Sequence, residues 1–439
     1  MQDTIARPTD ITNTKIPGWK WAVVWLLFLA TLINYMDRQT MGCTNKFVMA
    51  EFKLDDKGYG ELESWFGIAF ALLQFPAGIL ADRLSLRWLY AIALLIWSAA
   101  GFSTGLATTF AGLAACRLVL GIGESFNWPC AVAVIRRLLP RESRSMANGI
   151  FHAGASIGAA VTPTLVDTLA GEKGEHWRLV FQLTGAIGMI WAVAWFSFVR
   201  GPRAAEISYS APSRDDDDSK SADGPSVPFL EIFKYRQFWI TLVVGIAINI
   251  TWHVYRVWLP RLLDNEKIGM GYTLHKSRQI QTGFYIFADA GCMAAGFITQ
   301  YLARSGVAVV RSRKIVMIAT SLLCLLSMWV PMTDNPYIFV PLVFLVGAGA
   351  MGGFANFYTL SQEISPRHTG KCLGLIGCII WGVLSPLHTI IGKAVVDMHT
   401  YLPVFVAIAF IPLMGSVIAL YWKDEPAKAD STIPAAVEG

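Results

Sequence analysis

The sequence predicts an all-α, polytopic membrane protein: twelve transmembrane helices in two six-helix halves related by a pseudo-two-fold axis. Three observations predict it. Of 439 residues, 54% are hydrophobic and only 15% charged, against about 25% charged in an average soluble protein. Twelve mostly apolar runs reach the roughly 20 residues that a spanning helix needs. A polar stretch divides them six and six, and the two sets echo each other. The 38 glycines and 16 tryptophans fit the same class, because Gly lets helices approach and Trp sits at membrane interfaces. The net charge of +5 is small and spread along the chain, so no nucleic-acid surface is expected.

The first six runs lie at about 20–42, 60–82, 87–107, 110–136, 146–170 and 177–199. The polar start "MQDTIARPTDITNTKIPG" precedes a run too long for a signal-peptide core, so no cleavable signal is expected. Next comes "RGPRAAEISYSAPSRDDDDSKSADGPSVP", rich in Ser, Pro and Asp, which cannot bury a core. The second six runs lie at about 237–262, 279–303, 312–332, 336–361, 369–396 and 401–422. The expected organisation is an N-terminal tail (1–19), a first bundle (20–200), a linker (201–235), a second bundle (236–423) and a C-terminal tail (424–439).

Short-loop Lys and Arg set the expected orientation. Basic residues follow run two (Arg83, Arg87), run four (Arg136, Arg137, Arg141, Arg144), run eight (Arg304, Arg311, Arg313, Lys314) and run ten (Arg367, Lys371). Loops after runs three and nine have none. The basic loops, both termini and the linker are therefore expected in the cytoplasm. The internal echo pairs "LVLGIGESFNW...LLPRESRSMANG" with "LVFLVGAGAMG...ISPRHTGKCLG" at a constant offset of 226. Gly121 and Gly123 match Gly347 and Gly349, and Pro140 and Arg141 match Pro366 and Arg367. Arg117 and Glu124 meet Val343 and Ala350 instead. The shared small residues read as close helix packing, and the charges as a task of the first half alone. Repeats of this kind suit alternating-access carriers, with the site between the halves near the midplane.

Several chemistries find no support. The seven cysteines (43, 116, 130, 292, 324, 372, 378) are scattered through apolar runs without CxxC or Cys/His metal spacing, and read as reduced packing residues. There is no phosphate-cradling GxxxxGK[ST], HExxH or nucleophile elbow. No enzyme, metal, cofactor or ATP-driven pump is expected.

Charges inside apolar runs point to a site, since each costs several kcal/mol in hydrocarbon on most scales. Asp37 and Arg38 stand side by side in "NYMDR", and "CRLVLGIGES" carries Arg117 and Glu124. Positions seven apart return to nearly one helix face, so Arg117 and Glu124 face one way, with Asn127 three beyond. Asn34 and Arg38 share a face of run one, while Asp37 points about 100° away. A guanidinium grips a carboxylate in a planar fork at any working pH. A carboxylic acid in a low-dielectric cavity can load and unload protons near neutrality. The alternative for each charge is a structural buried ion pair.

In run five, His152 with Asn148 and Ser156 makes one polar stripe. His152 either bonds a sugar hydroxyl or satisfies a neighbouring helix. Gly154 and Gly158 read as packing. Run seven, "NITWHVYRVWLP", offers Asn249, Trp252, His253, Tyr255 and Arg256. Aromatic rings stack on sugar faces and a Tyr hydroxyl donates to a carboxylate. Arg256 either reads a second carboxylate or snorkels to the outer interface, the second being favoured. Asp289 in "FADAGC" is a further proton carrier or, preferentially, a packing hydrogen-bonder. Asn356, Tyr358 and Ser385 are weaker cavity residues, and His388 reads as structural.

"GILADRLSLR" resembles the loop signature of the major facilitator superfamily, with Gly78, Asp82, Arg83 and Arg87 matching and Ser85 where Gly is usual. The resemblance implies a gate in which an acid at a helix end pairs with a base across the cytoplasmic face. "NYMDR", "CRLVLGIGES" and "GIFHAGASIGAAVTP" resemble the anion:cation symporter family within it. "RQFW", "FADAGC" and "SRKIVM" look most like its hexuronate and aldonate branch. The resemblance covers nearly the whole chain and implies proton-coupled uptake of an organic anion, such as a sugar acid, across a bacterial cytoplasmic membrane by a monomer. It implies that Arg38, with Asn34 and Tyr35 beside it, binds the substrate carboxylate. Asp37 and Glu124 would carry protons, and Arg117 would tune either by an ion pair. Arg256 departs from the family's commoner small polar residue. Exchange, sodium coupling and a dicarboxylate substrate stay open, whereas the missing Gly-Pro step in run five argues against drug efflux.

Overall fold

The computed structural model describes residues 16–139, 141–171, 174–208, 229–364 and 369–422. They form twelve membrane-length helices. In the first half these are α1 (Gly18–Phe52), α2 (Asp56–Arg83), α3 (Leu86–Thr104), α4 (Phe110–Leu138), α5 (Arg141–Ala170) and α6 (Trp177–Phe198). The second half has α7 (Arg236–Asp264), α8 (Leu274–Arg304), α9 (Val309–Met332), α10 (Pro336–Glu363), α11 (Thr369–Met398) and α12 (Leu402–Ala419). All twelve runs correspond to a helix, and no strand occurs among the described residues.

Two departures matter for the site. The sequence ends the first run near residue 42, where polar residues begin, but α1 continues to Phe52. Its polar side chains satisfy themselves within the helix: Thr40 and Thr44 donate to Met36 O and Thr40 O, and Asn45 to Gly42 O. Asp37 and Arg38 thus lie in mid-helix, not at an end. α4 is broken. Its first segment stops at Glu124 and its second starts at Asn127, with the Ser125 N–H donating to Gly121 O and that of Phe126 to Gly123 O.

The echoed glycines sit where helices touch. A methyl on Gly123 would come 2.7 Å from Trp97 N of α3, and one on Gly349 2.6 Å from Thr320 O of α9. The same small residue thus serves the same junction in each half. Methyls on Gly154 and Gly158 of α5 would collide with Phe28 O and Leu32 O of α1. The core of the first half surrounds Tyr90, which meets Trp191 and Trp195 edge-on at 5.6 Å.

The halves meet along α2 and α11, α5 and α8, and α1 and α7. Ser64 of α2 bonds Ser385 O and, at 2.8 Å, Thr389 Oγ1 of α11. At the end away from the chain termini, ion pairs join half to half. Arg261 meets Asp56 at 2.7 Å, Arg278 meets Asp167 at 3.1 Å and Lys46 meets Glu266 at 2.7 Å. Tyr401 also donates to Asp56, at 3.3 Å.

Of the expected linker, residues 209–228 lie outside the described residues. Its start is not irregular: Pro202–Ser208 is a short helix docked on the first half, where Lys20 pairs with Glu206 and Arg137 donates to Ile207 O. The side chain of Asp82 and residues Arg367 and Lys371 fall outside what can be described, Lys371 by its side chain. Arg83 is exposed, and Arg87 lies over Trp88 and Phe196 of its own half at 5.3 and 5.6 Å.

Candidate functional site: a buried charge cluster between the halves

Three arginines and three carboxylates are buried inside the helix bundle, each at most 5% exposed. α1 brings Arg38 and Asp37, α2 brings Glu63, the first segment of α4 brings Arg117 and Glu124, and α7 brings Arg256. The Arg38 Nε donates to Glu124, while Arg38 Nη2 and Glu124 Oε1 have no hydrogen-bond partner. Aromatic faces surround this guanidinium: Phe70 at 4.6 Å, Phe66 at 5.2 Å and Tyr35 at 5.5 Å in the first half, and Trp381 at 5.8 Å from α11. A desolvated cation over an aromatic face gains about 2 kcal/mol, which offsets part of the several kcal/mol that burying the ion costs.

Glu63 holds the second centre. Its Oε1 accepts from Arg117 Nη2 at 2.6 Å and its Oε2 from Arg256 Nη2 at 3.3 Å. Arg117 also lies over Phe66, at 4.8 Å, so one ring carries two guanidiniums. The Arg256 Nε donates to His253 Nδ1 at 3.2 Å, and the His253 ring meets Trp381 at 4.5 Å. Asp37 faces away from Arg38 into the first half, against Gly101 of α3. Neither of its oxygens has a hydrogen bond of good geometry, and the nearby hydroxyl is that of Thr184.

Three sequence expectations change, and the favoured one for Asp289 does not. Arg117 forms its ion pair with Glu63, not with Asp37 or Glu124, because α2 places a carboxylate directly in its path. Arg256 does not snorkel: about two turns inside the far end of α7, it is buried and turns inward to Glu63. Asn127 does not continue the Arg117–Glu124 stripe, because the break in α4 turns it toward Tyr90 and Thr31, at 2.7 and 3.3 Å. Asp289 accepts from Ser156 across the halves at 2.9 Å, as a packing hydrogen-bonder would.

Other expected residues stay apart from the cluster. Tyr255 bonds Ser327 inside the second half and Asn356 pairs with Thr299. Ser385 donates to Trp381 O in its own helix. Trp252 stacks on Phe284 at 5.7 Å. His152 is exposed at the edge of Trp128, and Tyr358 is exposed. Asn34, one turn from Arg38, is buried with neither amide atom bonded. Sequence reasoning missed Glu63, Phe66, Phe70 and Trp381. Glu63 had a signal, since a buried Arg117 needs a counter-ion and run two holds an acid near its start.

The model of the Major Facilitator Superfamily matches residues 27–388. The chain belongs to that superfamily. As a superfamily member it is a multi-pass integral membrane transporter and not an enzyme. It is 26% identical to the hexuronate transporter of Escherichia coli K12 over 418 residues, covering 92% of this chain and 94% of that one. It is 30% identical to a probable L-galactonate transporter of the same strain over 312 residues, 70% of this chain and 67% of that one. The fold matches that of a bacterial homologue of the lysosomal transporter Spinster (TM-score 0.69, 19% identity, 92% and 97% covered). It also matches the nucleoside transporter NupG (0.67, 18%, 93% and 100%). These relatives place the chain beside the hexuronate and aldonate carriers, as its motifs suggested.

Proposed function

We propose that the chain takes up a sugar acid, a hexuronate or a close relative, together with a proton, by alternating access. One observation carries the reading. Arg38 is buried between the halves, gripped by Glu124 on one edge and unpartnered at Nη2. A guanidinium so held has one fork edge left for a carboxylate. Phe66, Phe70 and Trp381 line it with rings of the kind that stack on sugar faces. The relatives named above are carriers of such acids.

In this reading the termini and basic loops are cytoplasmic, and the end closed by Asp56–Arg261 and Asp167–Arg278 faces outside. The bundles 20–200 and 236–423 rock about the 201–235 linker, and one chain suffices. At the outer face a proton on Glu124 loosens its hold on Arg38, and the substrate carboxylate takes the freed donors. Asp37, behind Arg38, is the second proton-binding group. With the acids neutral and the arginine paired, the halves can exchange faces. Inside, Glu124 loses its proton, reclaims Arg38 and expels the passenger. Asp82, Arg83 and Arg87 form the gate at the cytoplasmic end.

The test is uptake of labelled galacturonate into proteoliposomes. An inward proton gradient should concentrate it in the wild type. Glu124→Gln should retain exchange of internal for external galacturonate and lose gradient-driven accumulation. Accumulation by Glu124→Gln at the wild-type level would remove Glu124 from proton coupling.

A further inference from the structure

Three guanidiniums are buried between the helices, and each has a carboxylate of the fold's own: Glu124 serves Arg38, and Glu63 serves both Arg117 and Arg256. Glu63 lies between Arg117 of the first half at 2.6 Å and Arg256 of the second at 3.3 Å, one oxygen to each, and its side chain is 1% exposed. Arg38 differs in its carboxylate: Glu124 serves it alone and keeps Oε1 unbonded, whereas Glu63 spends one oxygen on each of two arginines. The two centres touch through side chains. Trp381 lies 5.8 Å from the Arg38 guanidinium and 4.5 Å from the His253 ring, and His253 Nδ1 accepts from Arg256 at 3.2 Å.

We infer that Glu63 stands in for a second substrate carboxylate and thereby selects passengers with one carboxylate over those with two. The inference rests on the sugar-acid reading above. A six-carbon acid docked on Arg38 extends its chain from there into the crevice. If the far end is an aldehyde, lactol or hydroxyl, it meets Arg117 and Arg256 with one of their two charges already cancelled by Glu63. If it is a carboxylate, one donor of each cation, its Nη2, is already spent on Glu63, and the charge lying between them is like its own. Discrimination by such a built-in repulsion is strong in a low-dielectric site. Removing the Glu63 charge frees two guanidiniums, one on each half, to receive the second carboxylate.

The experiment is competition against labelled galacturonate on the purified full chain, with galactarate and its monomethyl ester as competitors. These share one carbon skeleton and differ by one charge. The wild type should take the ester at least tenfold more tightly than galactarate. Glu63→Gln should level or reverse that order, and Glu63→Gln with Arg256→Gln, which restores the wild-type net charge, should lose the gain. Equal competition by ester and galactarate in the wild type overturns the inference without any variant, so a Glu63→Gln protein that fails to fold does not shelter it. An unchanged order in a folded Glu63→Gln protein overturns it too. Absence of any sugar-acid binding to the wild type is a different outcome, and removes the sugar-acid reading itself.

Discussion

At the scale of single residues, the shape of Arg38 matters as much as its charge. Its Nε is spent on Glu124 and its remaining donors point into an aromatic box. A lysine there would keep a charge but offer a compact point in place of two parallel donors, and would lie poorly against Phe70 and Phe66. Arg38→Lys should therefore weaken galacturonate binding at least tenfold. Arg38→Ala, which leaves Glu124 buried and unpaired at a cost of about 3–5 kcal/mol, should abolish uptake and lower the melting temperature. Calorimetric titration and thermal unfolding of the two variants check this, and wild-type affinity in Arg38→Lys would refute the fork argument. Arg38, Glu124 and Arg117 were legible because each interrupts an apolar run. Glu63 was not, for it sits beside Asp55, Asp56 and Glu61 where the run opens, and reads as part of a polar boundary. Phe66, Phe70 and Trp381 could not be singled out, since an aromatic ring in lipid-length sequence carries no mark of which way it faces.

At the scale of elements, hydropathy located every helix but not its ends. α1 overran its apolar run by ten residues, because threonines and an asparagine can bond back to their own helix and remain in it. That extension is what puts Arg38 at mid-depth. The break in α4 had a mark in the sequence that went unread: Pro129 has no N–H for the Ser125 carbonyl four residues back, and the break decides that Glu124 faces Arg38 while Asn127 faces Tyr90. Close junctions were legible as glycines, though not which helices they join. Gly60 of α2 makes one of the tightest junctions between the halves, because a methyl there would collide with the His388 carbonyl of α11. Gly60→Ala should force the two helices apart near the closed end and destabilise this state by about 1–3 kcal/mol. Its melting temperature should fall measurably, whereas Gly382→Ala on α11, where a methyl meets nothing within 4 Å, should melt like the wild type. Equal melting of both variants would mean that α2 and α11 do not meet this closely in the protein.

For the whole molecule, the described ion pairs tie either one half to itself or half to half. Pairs such as Lys20–Glu206 at the end with the termini bind the first half to itself. Asp56–Arg261, Asp167–Arg278 and Lys46–Glu266 at the other end bind half to half. A carrier that opens alternately must break the second set once per cycle. The exposed Lys46–Glu266 pair adds little stability, so it can be replaced without unfolding the protein. Cysteines at both positions, joined by a short bis-methanethiosulfonate reagent, should hold that end shut and stop galacturonate uptake until a reductant is added. The three partly exposed native cysteines, Cys116, Cys292 and Cys378, are replaced by alanine beforehand, and the other four are buried. Either cysteine variant alone, treated in the same way, should keep transporting. Undiminished uptake by fully cross-linked protein would mean that this end never has to part, and a rocking of the two halves about the buried arginines could not then be how the passenger crosses.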